Sequence, residues 1–185
     1  MKKHIVMIVG SLRKQSFNLQ LAQKAAELMG EKAQVTFLEY ADLPFMNQDI
    51  EFPAPEPVAR VRETVLSADG IWLFTPQYNS SYPGVLKNLL DWLSRPLVQG
   101  DLSKGTALSK KKVTLSGAGG RTAAAESRQK LRELLGSMRM NPMPEVETGV
   151  SLGPDSFRTN VLTLTEENLA DLQAQADAFL AFLEE

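Results

Sequence analysis

The segment Gly10-Ser11-Leu12-Arg13-Lys14-Gln15-Ser16-Phe17-Asn18 joins an apolar run to a stretch of helical periodicity, and its residue types suit an anion. A helix start exposes backbone N–H groups that have no intrahelical partner, and it carries partial positive charge. Ser11, Ser16 and Asn18 add side-chain donors, and Arg13 adds a permanent cation whose planar fork matches a phosphate. Together they form a phosphate cradle in the physical sense. The same residues also suit a plain turn with a Ser or Asn cap and an exposed arginine. The Gly-Lys-Ser/Thr ending of a triphosphate-binding loop is absent, and so is the Gly-x-Gly-x-x-Gly dinucleotide turn. Both absences argue against a nucleoside triphosphatase and a Rossmann-type dehydrogenase.

Two further loops have compatible chemistry. In Thr75-Pro76-Gln77-Tyr78-Asn79-Ser80-Ser81-Tyr82-Pro83-Gly84, Pro76 and Tyr78 can wall a planar heterocycle, while Asn79 and nearby N–H groups can reach its polar edge. A proline-bounded surface loop has the same composition. The third, Ser116-Gly117-Ala118-Gly119-Gly120, lets backbone come close to a ligand, or is a flexible turn.

Composition excludes several other chemistries. The 185 residues contain no cysteine and one histidine, so disulfides, thiolate nucleophiles, Cys or His metal clusters and His-dependent triads are ruled out. His4 reads as a polar residue at a strand entry. No Asp-rich calcium loop is present. A net charge of −2 offers no electrostatic case for nucleic acid or an anionic membrane as partner, and leans away from a strongly acidic electron shuttle. The apolar run after Met1-Lys2-Lys3-His4 stops at Gly10-Ser11, too short for a signal peptide, and no stretch approaches the roughly 20 apolar residues of a membrane span. The expectation is a soluble, cytoplasmic chain folded as one domain over 1–185.

The loops require elements to hold them. The continuous apolar run at Ile5 to Val9 and the strand candidates at Ala33 to Leu38, Ile71 to Phe74, Val113 to Leu115 and Glu145 to Val150 read as a parallel sheet. Between them lie helical stripes: Leu19, Ala22, Ala26 and Met29; Val58, Val61, Val65 and Leu66; Leu86, Leu89, Leu90 and Leu93; Leu131, Leu134, Leu135 and Met138. A last helix starts near Thr165, which can cap it, and carries Leu169, Leu172, Ala176, Phe179 and Leu183. Asp42 to Pro57 is loop-like. Trp72 and Trp92 fall in apolar stripes and read as core, Met138, Met140 and Met143 as gap fillers or an interface patch, and Lys110-Lys111-Lys112 as a solvated loop. Strict βα alternation implies a parallel sheet with helices on both faces, and all three loops then fall at the carboxyl ends of its strands, where such sheets bind ligands.

At these loops the sequence resembles the NAD(P)H-dependent FMN reductase family, which includes flavin, quinone, azo and chromate reductases. The resemblance covers roughly residues 4–150. It is carried by the Gly10–Asn18 loop, by Asp42-Leu43-Pro44 through Asn47-Gln48-Asp49, and by Pro76-Gln77-Tyr78-Asn79 through Pro83-Gly84-Val85-Leu86-Lys87-Asn88, Asp91-Trp92 and Ser94-Arg95-Pro96. It implies a flavodoxin-like three-layer α/β sandwich with a five-stranded parallel sheet in the order 2-1-3-4-5. It implies that Ser11, Arg13, Ser16, Phe17 and Asn18 hold the phosphate of flavin mononucleotide (FMN), that Pro76, Gln77, Tyr78 and Asn79 line its ring, and that Ser116, Gly117 and Gly120 sit on the other flank. It implies hydride transfer from NAD(P)H through the flavin to a small acceptor by ping-pong kinetics, with no catalytic side chain. It also implies a homodimer or homotetramer with the flavin near the subunit boundary. The family usually has Glu where this chain has Gln77, and Arg121-Thr122-Ala123-Ala124-Ala125 replaces a shorter run. Two rival classes are an FMN-binding carrier without NAD(P)H turnover and a scaffold that has lost flavin.

Overall fold

The computed structural model describes residues 2–144 and 146–185. The chain runs β1 (Lys3–Val9), α1 (Phe17–Met29), β2 (Ala33–Phe37), α2 (Glu56–Ser67), β3 (Gly70–Phe74), α3 (Gly84–Leu93), β4 (Pro96–Val98), β5 (Asp101–Thr106), β6 (Lys112–Gly119), α4 (Ala125–Ser137), β7 (Asn141–Pro142), β8 (Thr148–Ser151), α5 (Pro154–Thr159) and α6 (Glu166–Glu184).

The central strands read as unbroken apolar runs because both their faces are covered. Val6, Ile8, Ile71, Leu73, Val113 and Leu115 pack under α2, α3 and α4, while Ile5, Met7, Trp72 and Phe74 pack under α1 and α6. Trp72 and Trp92 are both fully buried, and Trp72 stacks on Phe74 with ring centroids 5.3 Å apart. Thr165 caps α6 in a reciprocal box with Asn168. His4 sits at the strand entry as expected, with Nε2 2.9 Å from Thr36 Oγ1. The buried face of α1 is rotated from the expected stripe: Leu21, Ala22, Ala25 and Met29 are buried, whereas Leu19 and Ala26 are only partly so.

The expected five-strand order 2-1-3-4-5 is corrected in two respects. A two-stranded antiparallel hairpin, β4–β5, lies between α3 and β6 and forms its own sheet. The parallel sheet has six strands, in the order β2-β1-β3-β6-β7, with β8 also pairing to β6. The final strand position is therefore filled by two segments on one edge of β6, β7 beside Lys112–Val113 and β8 beside Ser116–Gly119. Pro142 and Pro144 explain the break, since neither has an N–H for the ladder. Glu145, the expected start of that strand, lies outside the described residues.

The lysine run is not a solvated loop throughout. Lys111 Nζ donates to Leu66 O at 2.9 Å and to Ala68 O, which caps the carboxyl end of α2. Lys112 Nζ donates to Phe182 O at 2.7 Å in the last turn of α6. Consecutive strand residues face opposite sides of the sheet, so adjacent lysines can cap helices in different layers, each favourable to the helix dipole. Burial pushes the Lys111 ammonium below its ordinary pKa, and Asp69 opposes that shift.

Candidate functional site

Gly10 leaves β1 with its N–H bonded to Phe74 O at 2.7 Å, which turns the first loop over the carboxyl ends of β1 and β3. Ser16 caps α1, its Oγ accepting from Leu19 N at 3.3 Å. The helical ladder begins with Gln20 N donating to Ser16 O, so the N–H groups of Phe17 and Asn18 precede it and face the helix start. The Asn18 amide is committed elsewhere: Nδ2 donates to Ala118 O at 3.0 Å and Oδ1 accepts from Ala118 N at 2.8 Å. This pair ties α1 to β6. The Arg13 guanidinium carbon lies 4.9 Å from the centroid of the Phe17 ring, and its Nη1 donates to Asn160 Oδ1 at 2.7 Å.

The second loop leaves β3 through Thr75 and Pro76 and closes on itself. Tyr78 and Ser81 exchange both backbone hydrogen bonds, at 2.9 and 3.0 Å, around Asn79 and Ser80, whose φ values are +49° and +59°. Two successive left-handed residues make this a type I′ turn, a conformation in which Asn is favoured. Lys130 Nζ donates to Ser80 O at 2.7 Å, tying the tip to α4. Gln77 Oε1 receives a long bond, 3.4 Å, from Ser127 N in the first turn of α4, whose own cap residue, Ala124, offers no side-chain acceptor. Gln77 thus serves as a cap supplied from another loop. A Glu would accept the same bond with a full charge.

The third loop begins later than its composition implies. Ser116, Gly117, Ala118 and Gly119 are still strand, in register with Thr148, Gly149, Val150 and Ser151 of β8. Ser116 Oγ accepts from Trp72 Nε1 and donates to Gln175 Oε1, both at 2.9 Å, inside the core. Gln175 is itself fully buried and completes the network through Thr148 N, Thr114 Oγ1 and Leu115 O. A Cβ on Gly117 would meet Thr75 O at 2.7 Å and Ala124 Cβ at 2.9 Å, so this glycine allows close packing of strand, loop and α4.

The three loops enclose a cavity of about 300 Å³. Of the residues singled out in the sequence, Ser11, Arg13, Ser16, Phe17, Asn18, Pro76, Gln77, Tyr78 and Gly120 line it. Asn79, Ser116 and Gly117 do not: Asn79 is exposed at the turn tip, and the other two lie within the sheet. Ala118 and Gly119 of the third loop also line the cavity, as do two residues that the sequence reading missed, Leu152 and Phe157. Phe157 lies on α5 and meets the edge of Phe17 at 5.8 Å and 87°. Gly153-Pro154-Asp155 is a helix-start signal that could have revealed α5.

The lining divides by chemistry. Around the start of α1 stand a guanidinium, the Ser11 hydroxyl and N–H groups ahead of the helical ladder. Pro76, Tyr78 and Phe157 present flat apolar surface, and Gly119 and Gly120 present backbone. An anion joined to a planar ring system fits this donor set.

Residues 3–155 match the sequence profile of the family described as NADPH-dependent FMN reductase. The chain is 37% identical over 183 residues to a quinone reductase of Pseudomonas putida, covering 97% of this chain and 94% of that protein. It is 45% identical over 92 residues to a 2-hydroxy-1,4-benzoquinone reductase of Burkholderia, a match that spans only 50% of either chain. Among solved structures it is similar to FerB, a flavoenzyme NAD(P)H:(acceptor) oxidoreductase from Paracoccus denitrificans, with a TM-score of 0.86, 29% identity and coverage of 98% and 97%. The profile match over residues 3–155 and the relative that shares 37% of its residues over nearly the whole length show that the chain belongs to the NADPH-dependent FMN reductase family.

Proposed function

We propose that this chain is a cytoplasmic quinone reductase that holds FMN in the cavity formed by its three loops. The observation that carries this reading is the convergence of Arg13, Ser11 and the first turn of α1 on the same cavity as Pro76, Tyr78 and the Gly119–Gly120 backbone. Arg13, Ser11, Ser16 and the N–H groups of Phe17 and Asn18 would hold the phosphate. Pro76, Gln77, Tyr78 and Gly120 would line the ring, together with Ala118 and Gly119. The chemistry supplied by bound FMN is hydride transfer from a reduced nicotinamide to a small acceptor. The chain's residues bind and orient the reactants and exclude water, and no side chain is required as acid or base. One exposed face serving donor and acceptor in turn gives ping-pong kinetics. The quinone acceptor is inferred from the Pseudomonas putida relative. No helix among the described residues is long and apolar enough to cross a membrane.

A homodimer or homotetramer belongs to the same proposal. Phe45 is 90% exposed, yet the loop that carries it is held firmly. Asn88 Nδ2 and Trp92 Nε1 donate to Pro44 O at 3.0 and 2.8 Å, Met46 N donates to Asn88 Oδ1 at 2.8 Å, and Arg95 clasps the buried Glu51 at 2.9 and 3.0 Å. A rigidly displayed aromatic suits an interface anchor.

The test is to mix the protein with FMN, desalt it and record the absorbance spectrum. Retained flavin bands that bleach anaerobically with NADPH and return on adding a quinone support the reductase. Retained bands that do not bleach with NADPH or NADH favour an FMN carrier, and no retained flavin, with no binding in a follow-up titration, overturns the cavity assignment.

A further inference from the structure

We infer that Asn160 is a positioning residue for Arg13, and that through it the turn after α5 sets the preference of the site for phosphorylated over unphosphorylated flavin. The inference rests on the FMN reading of the cavity. Asn160 closes α5 in the left-handed region, with φ +58°, a conformation that Asn tolerates better than most residues. Three of its groups are engaged. Its N–H donates to Ser156 O at 2.8 Å, its carbonyl accepts from Gln20 Nε2 at 2.9 Å, and its Oδ1 accepts from Arg13 Nη1 at 2.7 Å. Gln20 completes the clasp by accepting from Leu162 N at 2.8 Å. The turn is thereby fixed to the first turn of α1, and Asn160 presents a neutral acceptor at a set position beside the first loop.

Physical chemistry supplies the consequence. A guanidinium carries five N–H donors, so one bond to Asn160 leaves donors for a bidentate contact with phosphate. The acceptor is uncharged and does not neutralise the cation. With the Phe17 ring 4.9 Å away, the guanidinium is steered from two directions before any ligand arrives, which reduces the ordering cost of binding. Asn160 lies beyond the matched family region, residues 3–155, so this support comes from a part of the chain that the family pattern does not describe. Only a ligand with a phosphate gains from an ordered Arg13, so the effect must separate FMN from riboflavin.

The experiment is a fluorescence titration of the full-length protein, freed of flavin, with FMN and with riboflavin. The variants are Asn160→Gly, Gln20→Ala, Arg13→Ala and the pair Asn160→Gly with Arg13→Ala. Glycine suits the positive φ, so Asn160→Gly removes the side-chain acceptor and keeps the turn. The expected result is an FMN Kd raised about tenfold by Asn160→Gly, as for loss of one charge-assisted bond, with riboflavin Kd unchanged. Gln20→Ala gives a smaller rise with the same selectivity. In the Arg13→Ala background, Asn160→Gly has no further effect. Equal weakening of both flavins, an unchanged or tighter FMN Kd, or additivity with Arg13→Ala overturns the inference while wild-type FMN binding keeps the cavity reading intact. A wild-type protein that binds neither flavin overturns both.

Discussion

The two ends of the sheet treat their polar groups in opposite ways. At the amino end, the carboxyl ends of α2 and α6 and the entries to β1 and β3 find partners within the chain. Lys111 and Lys112 cap α2 and α6, His4 N donates to Asp69 Oδ2 at 2.7 Å, and Asp69 N donates to His4 O at 2.8 Å. At the carboxyl end, α1 starts with N–H groups ahead of its ladder, Arg13 keeps donors beyond its bond to Asn160, and the loops part around a cavity. On the proposed reading, the difference teaches that binding capacity comes from backbone and side-chain groups left without internal partners. Substitutions at the closed end should change stability and spare flavin affinity, and those at the open end should do the reverse.

The largest effect is expected at the closed end. A Cβ on Gly70 would stand 2.6 Å from Leu183 Cδ2 and 2.8 Å from Phe179 Cζ. Gly70→Val should therefore cost about 3 kcal/mol in a urea titration, by overpacking, with FMN Kd unchanged in the folded variant. A large loss of FMN affinity there would break the comparison. Arg13→Ala should weaken FMN binding by about 2 kcal/mol and leave the melting temperature within a degree or so of wild type. A drop in stability of the same size would mean that Arg13 is a structural residue.

Lys111→Met keeps the stem and removes the cap on α2. Chemical denaturation should show a loss of about 1.5 kcal/mol, with flavin binding untouched. The smallest effect sharpens the rule. Tyr40 follows β2 at the carboxyl end, yet its hydroxyl is satisfied, donating to Val9 O at 2.6 Å. Tyr40→Phe should thus behave like a closed-end change and cost about 1 kcal/mol at neutral pH. Burial raises the phenol above its ordinary pKa of 10.0. The folded state then holds its proton where the unfolded chain has lost it, so stability is fully present below pH 10 and falls as pH rises beyond it. Tyr40→Phe should flatten that alkaline slope, as read from denaturation midpoints between pH 9 and 11.

The parts that sequence made legible were those governed by local rules. Apolar runs identified the central strands, Thr165 announced its cap, and the Gly10–Asn18 loop landed on the cavity. The parts that escaped depended on distant partners. Ser116 looks like a loop serine beside glycines, and its partners Trp72 and Gln175, both far away along the chain, place it in the core. Lys111 and Lys112 look solvated until the ends of α2 and α6 arrive beside them. Helix α5 is only Pro154–Thr159 long, too short for a periodic stripe, and Phe157 acquires its meaning from Phe17 across the cavity.

The pair of hydrogen bonds between the Asn18 amide and the backbone of Ala118 acts as a rivet between the start of α1 and the end of β6. It lies inside the span that it fixes, one partner just past the start of α1 and the other near the end of β6. One side of the mouth is therefore held by two hydrogen bonds that belong to the fold and need no ligand. Within the loop Gly10, Ser16 and Phe17 are fixed by the fold, and the exposed residues 12–15 are the part that can change without touching that rivet.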